Sequence, residues 1–213
     1  MGIVNKKSNF YMVYVGVDIG QSQDPTAIVV ADPVIRDNKI HYIIRFLRRL
    51  PLGISYPSII EELMRIYQNI PEPDKGYNLH KQLWMDATGV GKPVVDLIRN
   101  NAPSIKLHEV FITGGEAKNK INSWSSVIKL PKAYLVSRLQ VMLSYGLIHL
   151  PKTDEALALQ EELMNYSIKV NDNANFEFGA FKVGTHDDLV TALGLACLCE
   201  VVPKIPKAQA LLI

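Results

Sequence analysis

Tyr11 to Asp18 (YMVYVGVD) is a β-branched and aromatic run closed by Ile19-Gly20, the pattern of a buried strand. After the polar turn Gln21-Ser22-Gln23-Asp24-Pro25, a second apolar run covers Thr26 to Ala31. A third covers Ile40 to Leu47, beyond the turn residues Asp37-Asn38. Connections this short predict three antiparallel neighbours, a meander. From Tyr56 to Ile70 the period becomes helical, with Ile59, Ile60, Leu63, Ile66 and Tyr67 on one stripe. The Pro-, Asp- and Gly-rich loop Pro71–Asn78 leads to a strand at Gln82–Asp86. A helix follows, with Pro93 in its first turn, and ends near Asn100. Ile105–Ile112 is a fifth strand.

Later elements are more mixed. Thr113–Leu130 is polar and glycine-bearing, with Lys118, Lys120, Lys129 and Trp124, and is expected to be a loop. Helices are predicted at Lys132–Tyr145 and Asp154–Ile168. Asn171–Asn175 is a turn cluster, and Phe176–Val183 alternates as a short hairpin around Gly179. A last helix runs from Asp187 to about Val202 and stops before Pro203. The first 112 residues thus run strand, strand, strand, helix, strand, helix, strand. A helix between strands implies a parallel crossover, so the sheet is mixed α/β. That order is similar to the RNase H-like fold: a five-stranded sheet flanked by helices, whose first and fourth strands are neighbours.

Composition narrows the class without choosing a partner. At 213 residues, 48% hydrophobic and 21% charged, the chain fits one globular domain with a core of about 11–202. A net charge of +2 permits contact with a polyanion but does not demand it. Cys197 and Cys199 stand two apart in an apolar stretch, where they neither pair nor clasp a metal well, so reduced thiols and a cytosolic setting are expected. No run of about 18 apolar residues exists to span a membrane. The start lacks a signal peptide, and Lys6 breaks the myristoylation pattern.

Three acidic sites carry the chemistry. Gly16-Val17-Asp18-Ile19-Gly20, followed by Asp24-Pro25-Thr26-Ala27, ends a strand on a carboxylate, at the sheet end where open α/β folds build their sites. Trp84-Met85-Asp86-Ala87-Thr88-Gly89-Val90-Gly91 repeats the arrangement before a helix. If the two strands are neighbours, Asp18 and Asp86 stand about 5 Å apart. Their charges then conflict unless a hard cation lies between them. His186-Asp187-Asp188 opens the last helix, whose Leu189, Leu193 and Ala196 form an apolar stripe, with Ala192 and Gly194 allowing close packing on the sheet. Acidic residues also cap helices, so a structural role competes at this third site. Gly91-Lys92 is no phosphate loop, because Asp86 stands where Gly is needed and Pro93 where Ser or Thr is needed. Converging carboxylates with no other nucleophile suit two-metal phosphodiester cleavage, with ions about 4 Å apart.

These three motifs together resemble the nuclease domain of the large terminase subunit of tailed bacteriophages, over about Tyr11–Val202. The resemblance implies a RuvC-type RNase H-like fold, two Mg2+ or Mn2+ ions, and cutting of concatemeric double-stranded viral DNA in the host cytoplasm. It makes Asp18 and Asp86 metal ligands, and places the third on Asp188 with Asp187 as competitor or co-ligand; His186 is a possible auxiliary. Thr191 stands where some members carry a later Asp. Large terminases also carry an ATPase with a Walker A loop and work with a small subunit and a portal. No such loop stands in this sequence, which suggests an excised nuclease domain. Lys118, Lys120, Lys129 and Lys182 are candidate DNA contacts. The Phe176–Val183 hairpin is the candidate gate over the site. Competing readings are a Holliday-junction resolvase, which should prefer branched DNA; a half of a sugar-kinase or actin-like ATPase, for which the chain is too short; and a non-catalytic module docking DNA or a portal.

Overall fold

A computed structural model describes residues 10–20, 24–73, 76–114, 126–170, 176–179 and 186–198, with backbone only for 167–170 and 176–179. In chain order the elements are β1 (Phe10–Asp18), β2 (Ala27–Arg36), β3 (Lys39–Arg49), α1 (Tyr56–Gln68), β4 (Asn78–Asp86), α2 (Gly91–Asn101), β5 (Leu107–Thr113) and β6 (Val127–Pro131). There follow α3 (Lys132–Ser144), β7 (Ile148–His149), α4 (Asp154–Asn165), β8 (Ser167–Val170), β9 (Phe176–Gly179) and α5 (Asp188–Ala196).

The meander forms as expected: β1 pairs antiparallel with β2, and β2 with β3. Its second turn works because Asp37 (φ 49°) and Asn38 (φ 58°) adopt the left-handed conformation that a tight hairpin needs. On its other side β1 pairs in parallel with β4, Val17 opposite Met85. β4, β5 and β6 continue in parallel, and the sheet order is β6-β5-β4-β1-β2-β3-β7. Two reversals make β3 run the same way as β1, so Asp18, Arg49, Asp86 and Thr113 all end strands at one edge of the sheet.

The expected five strands become seven. Val127–Pro131 was expected within a loop, yet it pairs with β5 from Glu109↔Val127 to Thr113↔Pro131. Five residues with a lysine at their centre are too short and too polar to announce a strand; pairing with β5 and burial of Ile128 and Leu130 make one. β7 is two residues long and is held at the edge by Tyr42↔Ile148 and Ile43↔His149. The hairpin is also moved. α4 stops at Asn165, and Ser167–Val170 pairs antiparallel with Phe176–Gly179, so Gly179 lies inside a strand opposite Ser167. Residues 180–183, expected to form its second arm, lie outside the described residues. α5 ends at Ala196, short of Val202, with buried Cys197 as its cap; Cys199 lies outside the described residues. No helix among the described residues is long and apolar enough to cross a membrane.

Alternation along the strands sorts the core into two layers. Val13, Val15 and Val17 of β1 face α1 and α2, meeting Ile59, Leu63, Val94, Val95 and Ile98. Tyr14 of β1 and Trp84 of β4 face the other way, toward α3, α4 and α5. Gly16 shares that second face, and α5 lies directly on it: a Cβ there would stand 2.1 Å from the Ala192 carbonyl oxygen and 2.4 Å from the Ala196 nitrogen. Gly194, expected against the sheet, instead faces Leu135 of α3. Gly16→Val should therefore push α5 off β1. We expect a loss of about 3 kcal/mol in guanidinium unfolding; an unchanged midpoint would show that the helix has room to shift.

Candidate metal centre

The alternation that puts Gly16 beneath α5 also turns Asp18, two residues on, to the same face. In β4 it does the same for Asp86, two residues after Trp84. Since Val17 is opposite Met85, the next pair along the parallel register is Asp18 and Asp86, one strand spacing apart, about 5 Å. Asp86 is held by its own loop: its Oδ1 accepts the Thr88 N–H at 2.7 Å, and Thr88 Oγ1 in turn accepts the Ile112 N–H at 2.8 Å. The turn closes tightly enough that a Cβ on Gly91 would stand 1.9 Å from the Asp86 carbonyl oxygen. Lys92, the residue that suggests a phosphate loop, bonds Asp96 at 2.5 Å and Glu109 at 3.2 Å, an anchor for α2 rather than a ligand.

The third acidic site arrives on α5, and the structure decides against simple capping. Asp187 is the N-cap residue, but its side chain makes no capping hydrogen bond. Instead the buried Glu162 of α4 accepts the Val190 N–H through Oε2 at 3.0 Å. One acceptor that the helix start requires thus comes from another helix, and the Asp187 side chain is not spent on capping. Asp187 Oδ2 accepts from Lys132 Nζ at 2.8 Å. Asp188 is buried, and its Oδ2 has no hydrogen-bond partner among the described residues; Arg49 Nε lies 4.0 Å away and His186 Nδ1 3.7 Å. Leaving a buried carboxylate oxygen without a partner costs about 1–3 kcal/mol or more.

The electrostatics say the same. Burial, followed by the charges of Asp86, Asp188 and Asp187, pushes the Asp18 carboxyl well above its ordinary range. Burial raises Asp86 too, against the hydrogen bonds from Thr88 and the charge of Lys132. Asp188 is pushed up to about 7, by burial first and then by Asp187 and Asp24, with Arg49 opposing. Among the described residues no group of three or more His, Cys, Asp or Glu side chains stands close enough together to hold a metal ion as placed. An all-oxygen set of this kind, short of positive charge and with an unpartnered buried oxygen, fits a hard divalent cation such as Mg2+ or Mn2+.

Several participants carry no obvious mark in the sequence. Arg49 ends β3 at the same edge and pairs with Glu162 while facing Asp188; the meander alone implies its position, because two reversals return β3 to the direction of β1. Asp24 lies in the first motif, and its charge reaches Asp188. Lys132 follows directly on β6, the unforeseen strand. Of the lysines expected to meet DNA, Lys129 is exposed in the middle of β6, while Lys118, Lys120 and Lys182, with Trp124, lie outside the described residues. Removing the Glu162 side chain should cost the α5 cap and the partner of Arg49 together. We expect Glu162→Ala to lose about 2–3 kcal/mol, and Glu162→Gln, which keeps an acceptor for Val190, to lose less. Equal melting temperatures for the two variants would remove the capping role.

A mixed sheet with carboxylates at the ends of its first and fourth strands and at the start of the last helix defines an RNase H-like domain with a candidate two-metal centre. Residues 15–200 match the family model of the terminase RNase H-like domain. The chain belongs to that family. Among solved structures it is similar to the large terminase nuclease of the thermophilic phage G20c with bound magnesium, at 22% identity over 89% of this chain and 83% of that one, TM-score 0.59. The manganese-soaked, inhibitor-bound terminase nuclease domain of human cytomegalovirus aligns at 15% identity over 95% and 91% of the two chains, TM-score 0.58. The large terminase of bacteriophage HK97 aligns at 13% identity over 87% of this chain and 39% of that one, TM-score 0.53. These likenesses show the fold. No curated protein sequence matches the chain.

Proposed function

We propose that the chain is the metal-dependent endonuclease domain of a phage large terminase, cutting concatemeric double-stranded viral DNA inside the host cell. The observation that carries this reading is the unpartnered, buried Asp188 Oδ2 beside Asp18 and Asp86 at one edge of the sheet. In it, Asp18 and Asp86 hold the ions from the strand ends, and Asp188 is the preferred ligand at the helix start, with Asp187 its competitor or co-ligand. Two such ions, when bound, supply an activated water and neutralise charge on the leaving oxygen. The protein's own work is positional. Thr88 orients Asp86, Glu162 fixes the start of α5, and Arg49 offsets part of the negative charge around Asp188. Lys129 meets backbone phosphates, as do the loop lysines Lys118, Lys120 and Lys182, which gives affinity without sequence readout. His186, 3.7 Å from Asp188, is an auxiliary group at the rim. In the packaging motor the partners would be an ATPase domain, a small subunit and a portal.

The test is nicking of supercoiled plasmid in Mn2+ or Mg2+, blocked by a chelator. Preference for a four-way junction over linear duplex would turn the reading toward a resolvase. DNA binding without cleavage in either metal would turn it toward a docking module.

A further inference from the structure

Lys132 is the first residue of α3, placed where β6 ends at the edge that carries Asp18 and Asp86. Its side chain is 30% exposed, so it belongs neither to the core nor to open solvent. Among the described residues its ammonium bonds only Asp187, at 2.8 Å. An ammonium has three donors, which leaves two unspent. Its charge lowers the pKa of both Asp18 and Asp86, against the effect of burial. Arg49, at the end of β3, pairs with Glu162 and has its Nε 4.0 Å from Asp188.

A bare counterion would be redundant once divalent ions neutralise the carboxylates. A phosphodiester entering the site then brings a new negative charge, which grows as the phosphorus is attacked. A half-exposed ammonium tethered at one point can meet that charge without rebuilding. We propose that Lys132 contacts a non-bridging oxygen of the scissile phosphate. Asp187 is then the positioning residue that aims the lysine, and Asp188 the metal ligand of the α5 start. The inference rests on the metal-nuclease reading above and divides the labour of its third acidic site.

The experiment compares wild type, K132Q, K132R, D187N and D188N. It measures single-turnover plasmid nicking in Mn2+, Mn2+ affinity by calorimetry without DNA, duplex affinity against salt in Ca2+, and melting temperature. K132Q should nick about 100-fold more slowly, bind Mn2+ as wild type does, and lower the salt slope by about one. K132R, which keeps the charge, should recover part of the rate. D187N should slow nicking while keeping both Mn2+ affinity and the salt slope, whereas D188N should lose Mn2+ affinity. Nicking by K132Q within threefold of wild type overturns the proposal, as does a fall in its Mn2+ affinity that matches the fall in rate. K132Q and K132R equally slow and equally destabilised would mean that the lysine only ties α3 to α5, and D187N losing as much Mn2+ affinity as D188N would remove the positioning role. A wild type silent in Mn2+ overturns the nuclease reading itself, and this inference with it.

Discussion

Asp86→Ala should abolish manganese-dependent nicking, a fall of about a thousandfold or more, while leaving the protein folded. The two effects separate because Asp86 contributes little to stability. Burial already drives its carboxyl toward the neutral form, and the hydrogen bonds from Thr88 only partly oppose that. Deleting it also relieves Asp18, whose carboxyl is raised by the neighbouring charge. Asp18→Asn should act alike, with a metal-free melting temperature equal to or above that of wild type. Plasmid nicking at a fixed enzyme concentration and a thermal melt read the two quantities. Robust cleavage by Asp86→Ala would sink the two-metal mechanism, and a collapsed melt would make Asp86 a structural residue.

The metal-free protein should lose stability as pH rises, and manganese should restore it. Asp18, Asp86 and Asp188 all have native pKa values raised above those of the unfolded chain. Between the unfolded carboxyl range near 4 and the Asp188 value of about 7, the native state therefore holds protons that the unfolded state has released. Stability then falls with pH. The Asp188 contribution is fully present below about pH 4 and is lost as pH climbs through about 7, and those of Asp18 and Asp86 run in the same direction. Manganese binds the ionised form, so its stabilisation runs the opposite way and should be larger at pH 8 than at pH 5. At 100 times Kd it amounts to about 2.7 kcal/mol, or roughly 5–10 °C in melting temperature for a chain of this length. A melting temperature at pH 8 indifferent to manganese would mean that no ion binds the native state.

What the sequence made legible was local pattern and strand direction. Alternating runs and short turns implied the meander, a helix between strands implied a parallel crossover, and the likeness of that order to the RNase H-like fold placed Asp18 beside Asp86. What escaped was pairing that only a partner strand can create. Val127–Pro131 becomes a strand because β5 offers an open edge, and Ser167-Ile168 reads as the tail of a helix until Phe176–Gly179 lies beside Ser167–Val170. The residues missed at the site share that origin. Lys132 is at the centre only because β6 precedes it, and Glu162 becomes a cap only through a contact 28 positions away. Asp187 and Asp188 stand side by side in the sequence, and tertiary contacts alone separate one that holds Lys132 from one whose buried Oδ2 has no hydrogen-bond partner among the described residues.

The pairing of β1 with β4 and the seating of α5 on Gly16 also order events during synthesis. Strands β1 to β3 are joined by short turns and can associate while the chain is still short. Asp18 gains its neighbour only after β4 has been made, and Asp187 and Asp188 are added more than 160 residues after Asp18. Contacts of such separation form late, because the loop they close must be restrained before they give any return. A nascent chain halted before α5 would carry a nearly complete sheet and only Asp18 and Asp86 of the four candidate aspartates. The acidic cluster is thus assembled only once α5 has been made and seated on β1.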